Sequence, residues 1–112
     1  MAAIYVSNLV VNTGANFSQT FTLSSTDDNS AFNLDGYTAT SQIRKWAGAV
    51  GVTTFTAEIA DAESGTIIIS LTNAQTALLK PGRHVYDIVV TSGSVKQRVV
   101  EGAVLVRQGV TR

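Results

Sequence analysis

Hydrophobic and polar positions alternate with a period of two along most of this chain, and that period predicts strands. Ala3 to Val11 is rich in β-branched residues and reads as a first strand, closed by the turn signal Asn12-Thr13-Gly14. Asn16 to Leu23 places Phe17, Gln19, Phe21 and Leu23 on one face and Ser18, Thr20 and Thr22 on the other. Leu34-Asp35-Gly36 turns into a strand over Tyr37 to Lys45, with Tyr37, Ala39 and Ile43 on one side. Val52 to Ile59 directs Phe55, Ala57 and Ile59 inward. Thr66 to Leu71 is nearly continuous isoleucine and reads as a central strand.

The pattern then changes. Thr72-Asn73-Ala74-Gln75 fits a capping box, and Ala74, Ala77, Leu78 and Leu79 suit a short helix near 73–79. Lys80-Pro81-Gly82 stops it. Arg83 to Thr91 and Val95 to Val106 are two further strands around the hairpin turn Ser92-Gly93-Ser94. Gly102 interrupts the last strand and the alternation changes phase near Val99-Val100, so one bulge there is expected to account for both. The sum is an all-β chain: one domain over 1–112, an immunoglobulin-like two-sheet sandwich of about seven strands.

Composition narrows the function classes. Charged residues are 14% of the chain, and eight basic residues balance eight acidic ones. A net charge of zero predicts no electrostatic footprint for nucleic acid or an anionic membrane. With no cysteine, disulfides and thiolate metal sites are excluded. The start, Met-Ala-Ala-Ile-Tyr-Val, lacks a signal peptide's basic region and long apolar run.

Catalytic constellations are missing, so no enzyme, cofactor or metal site is expected. The single histidine, His84, lies in a predicted strand with no nucleophile elbow in the sequence to pair with it. Asp27-Asp28-Asn29 and Asp61-Ala62-Glu63 are acidic loops without the EF-hand pattern, and they read as solvated turns. Trp46 opens a glycine-containing loop after Arg44 and Lys45. Its indole could anchor an interface, support a sugar ring with Tyr37 or Tyr5, or fold over the core.

Several motifs recur in a recognisable order. They are Phe17-Ser18-Gln19-Thr20-Phe21-Thr22-Leu23, Leu34-Asp35-Gly36-Tyr37-Thr38 and Gln42-Ile43-Arg44-Lys45. Gly65-Thr66-Ile67-Ile68-Ile69-Ser70-Leu71-Thr72, Ala74-Gln75-Thr76, Pro81-Gly82-Arg83-His84-Val85-Tyr86-Asp87, Val99-Val100-Glu101-Gly102 and Gly109-Val110-Thr111-Arg112 follow. This order resembles the immunoglobulin-like N-terminal domain of phage baseplate upper proteins. It is also similar to short structural proteins of tailed phages, notably those infecting cyanobacteria. The resemblance implies a β-sandwich assembly module in the virion, without enzymatic residues. His84 departs from it, because an aromatic residue more often precedes the Tyr-Asp pair.

The expected role is therefore a virion structural subunit, first a capsid decoration or cement protein, alternatively a baseplate, neck or tail component. Its partners would be other virion proteins or further copies of itself. Candidate interface residues are Ile4, Tyr5, Trp46, Val110 and Arg112, because both ends are apolar enough to add strands to neighbours. Tyr86, entering just after the helix, is expected to act as a tyrosine-corner residue. A glycan-binding adhesion module is the competing expectation, resting on Trp46.

Overall fold

The computed structural model describes residues 5–23, 33–46, 48 and 52–109. In chain order the elements are β1 (Tyr5–Val6), β2 (Leu9–Asn12), β3 (Phe17–Thr22), β4 (Thr38–Arg44), β5 (Val52–Asp61), β6 (Thr66–Leu71), α1 (Asn73–Ala77), β7 (Gly82–Ser92) and β8 (Val95–Arg107). Counting the broken first strand once gives the seven strands read from the periodicity.

One layer runs from β1 and β2 through β8, β7 and β4 to the first part of β5. β5 then changes partner. Val52 to Phe55 pair with β4, whereas Thr56 to Asp61 pair with β6, which pairs in turn with β3. One strand thus belongs to both layers of the sandwich, a corner built by continuous backbone. β6 is the middle strand of the smaller layer, and it alternates: Ile67, Ile69 and Leu71 are buried while Ile68 is only partly so. Residues from both layers, including Val11, Leu23, Ile43, Ile67, Ile88 and Val104, fill the space between them. Phe17, Phe55 and Tyr86 link β3, β5 and β7, with ring centroids 5.9 and 6.2 Å apart.

The first strand departs from its expected form. It is interrupted at Ser7-Asn8, although the register before and after the break is the same: Tyr5 faces Val100 and Leu9 faces Val104, in parallel. No residue is inserted or lost. The backbone turns locally, and its ladder bonds are replaced. Ser7 N–H still donates to Glu101 O at 2.9 Å. The Ser7 carbonyl instead accepts the Tyr86 hydroxyl at 2.7 Å, and the Asn8 side chain accepts Ala103 N–H at 3.1 Å. Two of the backbone groups freed by the kink, Ser7 C=O and Ala103 N–H, thus find side-chain partners.

Gly102 is explained by this kink and not by a bulge. A Cβ at 102 would lie 2.8 Å from the Ser7 carbonyl carbon, so only glycine leaves room for the crossing. The bulge itself is real and lies at Val99. Ile88 faces Val100 and Val89 faces Arg98, which leaves Val99 unpaired. Val99 and Val100 are consequently both buried. Tyr86 is likewise not a tyrosine corner, because its hydroxyl bonds Ser7 and not the connection preceding β7.

Gly102→Ala should therefore destabilise the domain by roughly 1–3 kcal/mol, measured by chemical denaturation, through displacement of Ser7. Burial of Tyr86 pushes its phenol up to about 12 from 10.0, against a smaller opposing pull from Ser7. The unfolded chain then releases this proton first, so stability should fall as pH rises from 10.0 to about 12. Tyr86→Phe should remove that component of the fall, of order 1–2 kcal/mol, in unfolding curves compared across this range.

Candidate interaction surface

Strand direction sorts the described connections into two groups. One end of the sandwich gathers residues 13–16, the segment after β4, α1 with residues 78–81, and residues 107–109. The other gathers the turn at 33–37, the turn at 62–65 and the β7–β8 hairpin.

Charge follows this division. Five of the eight basic residues, Arg44, Lys45, Lys80, Arg83 and Arg107, lie at the first end. No acidic residue of the sequence falls in its connections. Asp35, Asp61 and Glu63 lie at the opposite end, where Lys96 is the only described cation. Leu34 N–H donates to Ala62 O at 2.7 Å, which brings Asp35 onto the Asp61–Glu63 turn. Glu58, Asp87, Arg98 and Glu101 lie between the ends, and Arg98 pairs with Asp87 at 3.2 Å. Zero net charge thus conceals an uneven distribution of charge along the strands.

The basic end is built on α1. Thr72 Oγ1 accepts Gln75 N–H at 3.2 Å and Gln75 Oε1 accepts Thr72 N–H at 2.9 Å, the reciprocal cap that the motif foretold. Ala74, Ala77 and Leu78 are exposed, whereas Thr76 is fully buried. The Thr76 hydroxyl donates to Ala15 O at 2.8 Å and accepts Gly14 N–H at 3.0 Å. Asn16 Oδ1 accepts Asn73 N–H at 2.8 Å. Helix and β2–β3 turn are thereby fixed to each other, and Gly109 N–H joins them by donating to Thr13 Oγ1 at 3.2 Å. His84 is 8% exposed, and its Nε2 bonds Lys80 O at 2.8 Å, as a donor in that tautomer.

The surface so formed is apolar as well as basic. Leu78 is 83% exposed and Trp46 63%. Lys45, Leu78, Leu79, Lys80, Pro81 and His84 line one shallow hollow, and Thr13, Gly14, Ala77 and Gln108 line its neighbour. Trp46 therefore does not fold over the core. Tyr37 precedes the opposite end of β4, so it does not share a platform with Trp46, and Tyr5 lies on the far edge of the sheet. Tyr5 is paired with β8 of its own chain. Ile4, Val110, Arg112 and the Asp27-Asp28-Asn29 loop lie outside the described residues. Asp61 Oδ1 accepts Ser64 N–H at 3.4 Å, as a turn aspartate does. Among the described residues no three carboxylates or histidines gather as metal ligands.

The LtfC-like β-sandwich domain matches residues 5–107, spanning both layers and both ends. The chain belongs to the LtfC-like family. Among solved structures, this LtfC-like domain is similar to the N-terminal domain of ORF48 of phage TP901-1, with a TM-score of 0.58 and 13% identity over 94% of this chain and 97% of that one. Looser likenesses are to InlP of Listeria monocytogenes (TM-score 0.45, 14% identity, 92% of this chain and 26% of that one) and to a family 123 glycoside hydrolase of Clostridium perfringens (TM-score 0.45, 12% identity, 96% and 23%). No curated protein matches the sequence.

Because Thr76 holds the helix to the β2–β3 turn, Thr76→Val should cost roughly 1–3 kcal/mol by leaving Gly14 N–H and Ala15 O without partners. Thr76→Ser should recover most of that loss, both variants being read by thermal denaturation.

Proposed function

We propose that this LtfC-like domain is a non-catalytic structural subunit of a tailed-phage particle and acts by docking onto other proteins. The observation that carries the reading is its likeness to a phage domain of almost the same extent, covering 94% of this chain and 97% of the other. The motif order from Phe17 through Gly102 supports the same reading independently of shape. The surface chemistry also fits it. An exposed tryptophan and leucine set among lysines combine an apolar anchor with steering charge, as protein-docking surfaces do. His84 adds to the non-catalytic reading, since Nε2 is engaged by a backbone carbonyl at 2.8 Å and no described nucleophile is bonded to the ring.

Within the particle, the finer reading is a decoration subunit on the head, with baseplate, neck or tail as the alternative. Copy number separates them. Particles produced from the genome that encodes the chain, purified and quantified by mass spectrometry, should contain it at high copy relative to the major capsid protein. Low copy would move the subunit to the tail or baseplate. Its absence from intact particles would overturn the proposal.

A further inference from the structure

We infer that the basic end of one copy docks onto the acidic end of a second copy, so that the domain associates head to tail along its strands. This inference stands whether or not the chain serves in a particle. It rests on three features of the structure. The first is charge complementarity. Lys45, Lys80, Arg83 and Arg107 stand at one end with no acidic residue in its connections, and Asp35, Asp61 and Glu63 stand at the other. Like charges gathered on one surface repel, and an opposite surface relieves that repulsion.

The second feature is that both ends also expose apolar side chains. Trp46 and Leu78 are 63% and 83% exposed at the basic end, and Val95 is 50% exposed at the hairpin of the acidic end. The basic lysines stand beside the apolar residues. Lys45 follows β4 directly, and its ammonium reaches the start of β7, where a Cβ at Gly82 would be 3.2 Å away. Lys80 and Leu78 line the same hollow as Lys45.

The third feature is geometry. The molecule measures 45 × 27 × 22 Å. β8 has 13 residues, about 43 Å when extended, so the long axis follows the strands and the two charged ends are its poles. A contact between two different surfaces of identical chains is heterologous. It propagates into chains, or closes only where the rotation allows a ring. An end of 27 by 22 Å offers at most about 600 Å² to each partner, a size that belongs to weak, reversible contacts. The association should accordingly be concentration-dependent and governed by salt.

Sedimentation velocity of the full chain tests this. At about 0.01 M salt, where charges act over roughly 30 Å, species larger than the monomer should grow with concentration; at about 1 M, where the reach is roughly 3 Å, they should vanish. Lys45→Glu with Lys80→Glu, and separately Asp61→Lys with Glu63→Lys, should each weaken low-salt association by at least about tenfold. Circular dichroism confirms that each variant is folded. An equal mixture of the two variants retains one attractive contact and should stop at the 1:1 heterodimer. A wild type that stays monomeric at low salt, association insensitive to salt, or failure of the mixed variants to form the heterodimer would overturn the inference. Association that survives both charge reversals would point to the outer edge of β3 and would overturn it equally.

Discussion

β8 is hydrogen-bonded on both sides, to β7 in antiparallel fashion and to β1 and β2 in parallel, and this double pairing fixes where everything else goes. Its register places Val100, Val104 and Val106 in the core and turns Glu101, Ala103 and Leu105 outward. The crossing at Ser7 depends on the same strand. Gly102 leaves space for the Ser7 carbonyl, Tyr86 satisfies it, and Asn8 supplies the acceptor that Ala103 loses. A parallel edge segment is thereby fastened to the sheet by side chains from both partners. Antiparallel pairing of the remaining strands in the larger layer then sends their connections alternately to the two poles. Charge separation is a consequence of topology combined with which turns carry lysine and which carry aspartate.

Much of the fold was legible because local rules and tertiary structure agree. Alternation in β4 and β5 marks the inward residues correctly, and Thr72 with Gln75 makes the reciprocal cap that their spacing implies. The phase change at Val99-Val100 is a bulge. What escaped the sequence has a common physical cause. The break at Ser7-Asn8 carries no glycine or proline, because it is imposed by Gly102 and Tyr86, which lie 95 and 79 positions away. Thr76 sits in a short helix rich in alanine and leucine, and its hydroxyl serves a turn some 60 positions earlier. Short helices are oriented by the backbone groups they must satisfy as well as by apolar area.

The candidate surface was legible only in part. Trp46 drew notice as a loop tryptophan, and the structure leaves it exposed beside Lys45. Leu78 did not, since it entered the pattern only as a helix residue. The opposite poles were invisible for a simpler reason: composition counts charges and cannot locate them. Only after β4, β7 and β8 are aligned do Lys45, Lys80, Arg83 and Arg107 meet at one end. A domain with one sticky basic pole and one acidic pole is suited to repetition.

The most direct test of these opposed poles is a dilution series followed by 1H–15N correlation spectra at low salt. Trp46 is the single tryptophan in the chain, so its indole N–H gives one assignable signal. The account predicts that this signal moves with concentration together with the amides of Leu78 and Lys80 and, in the same titration, those of Asp35, Asp61 and Glu63. Shifts confined to one pole, or centred on Ser18 to Thr22 of β3, would contradict it.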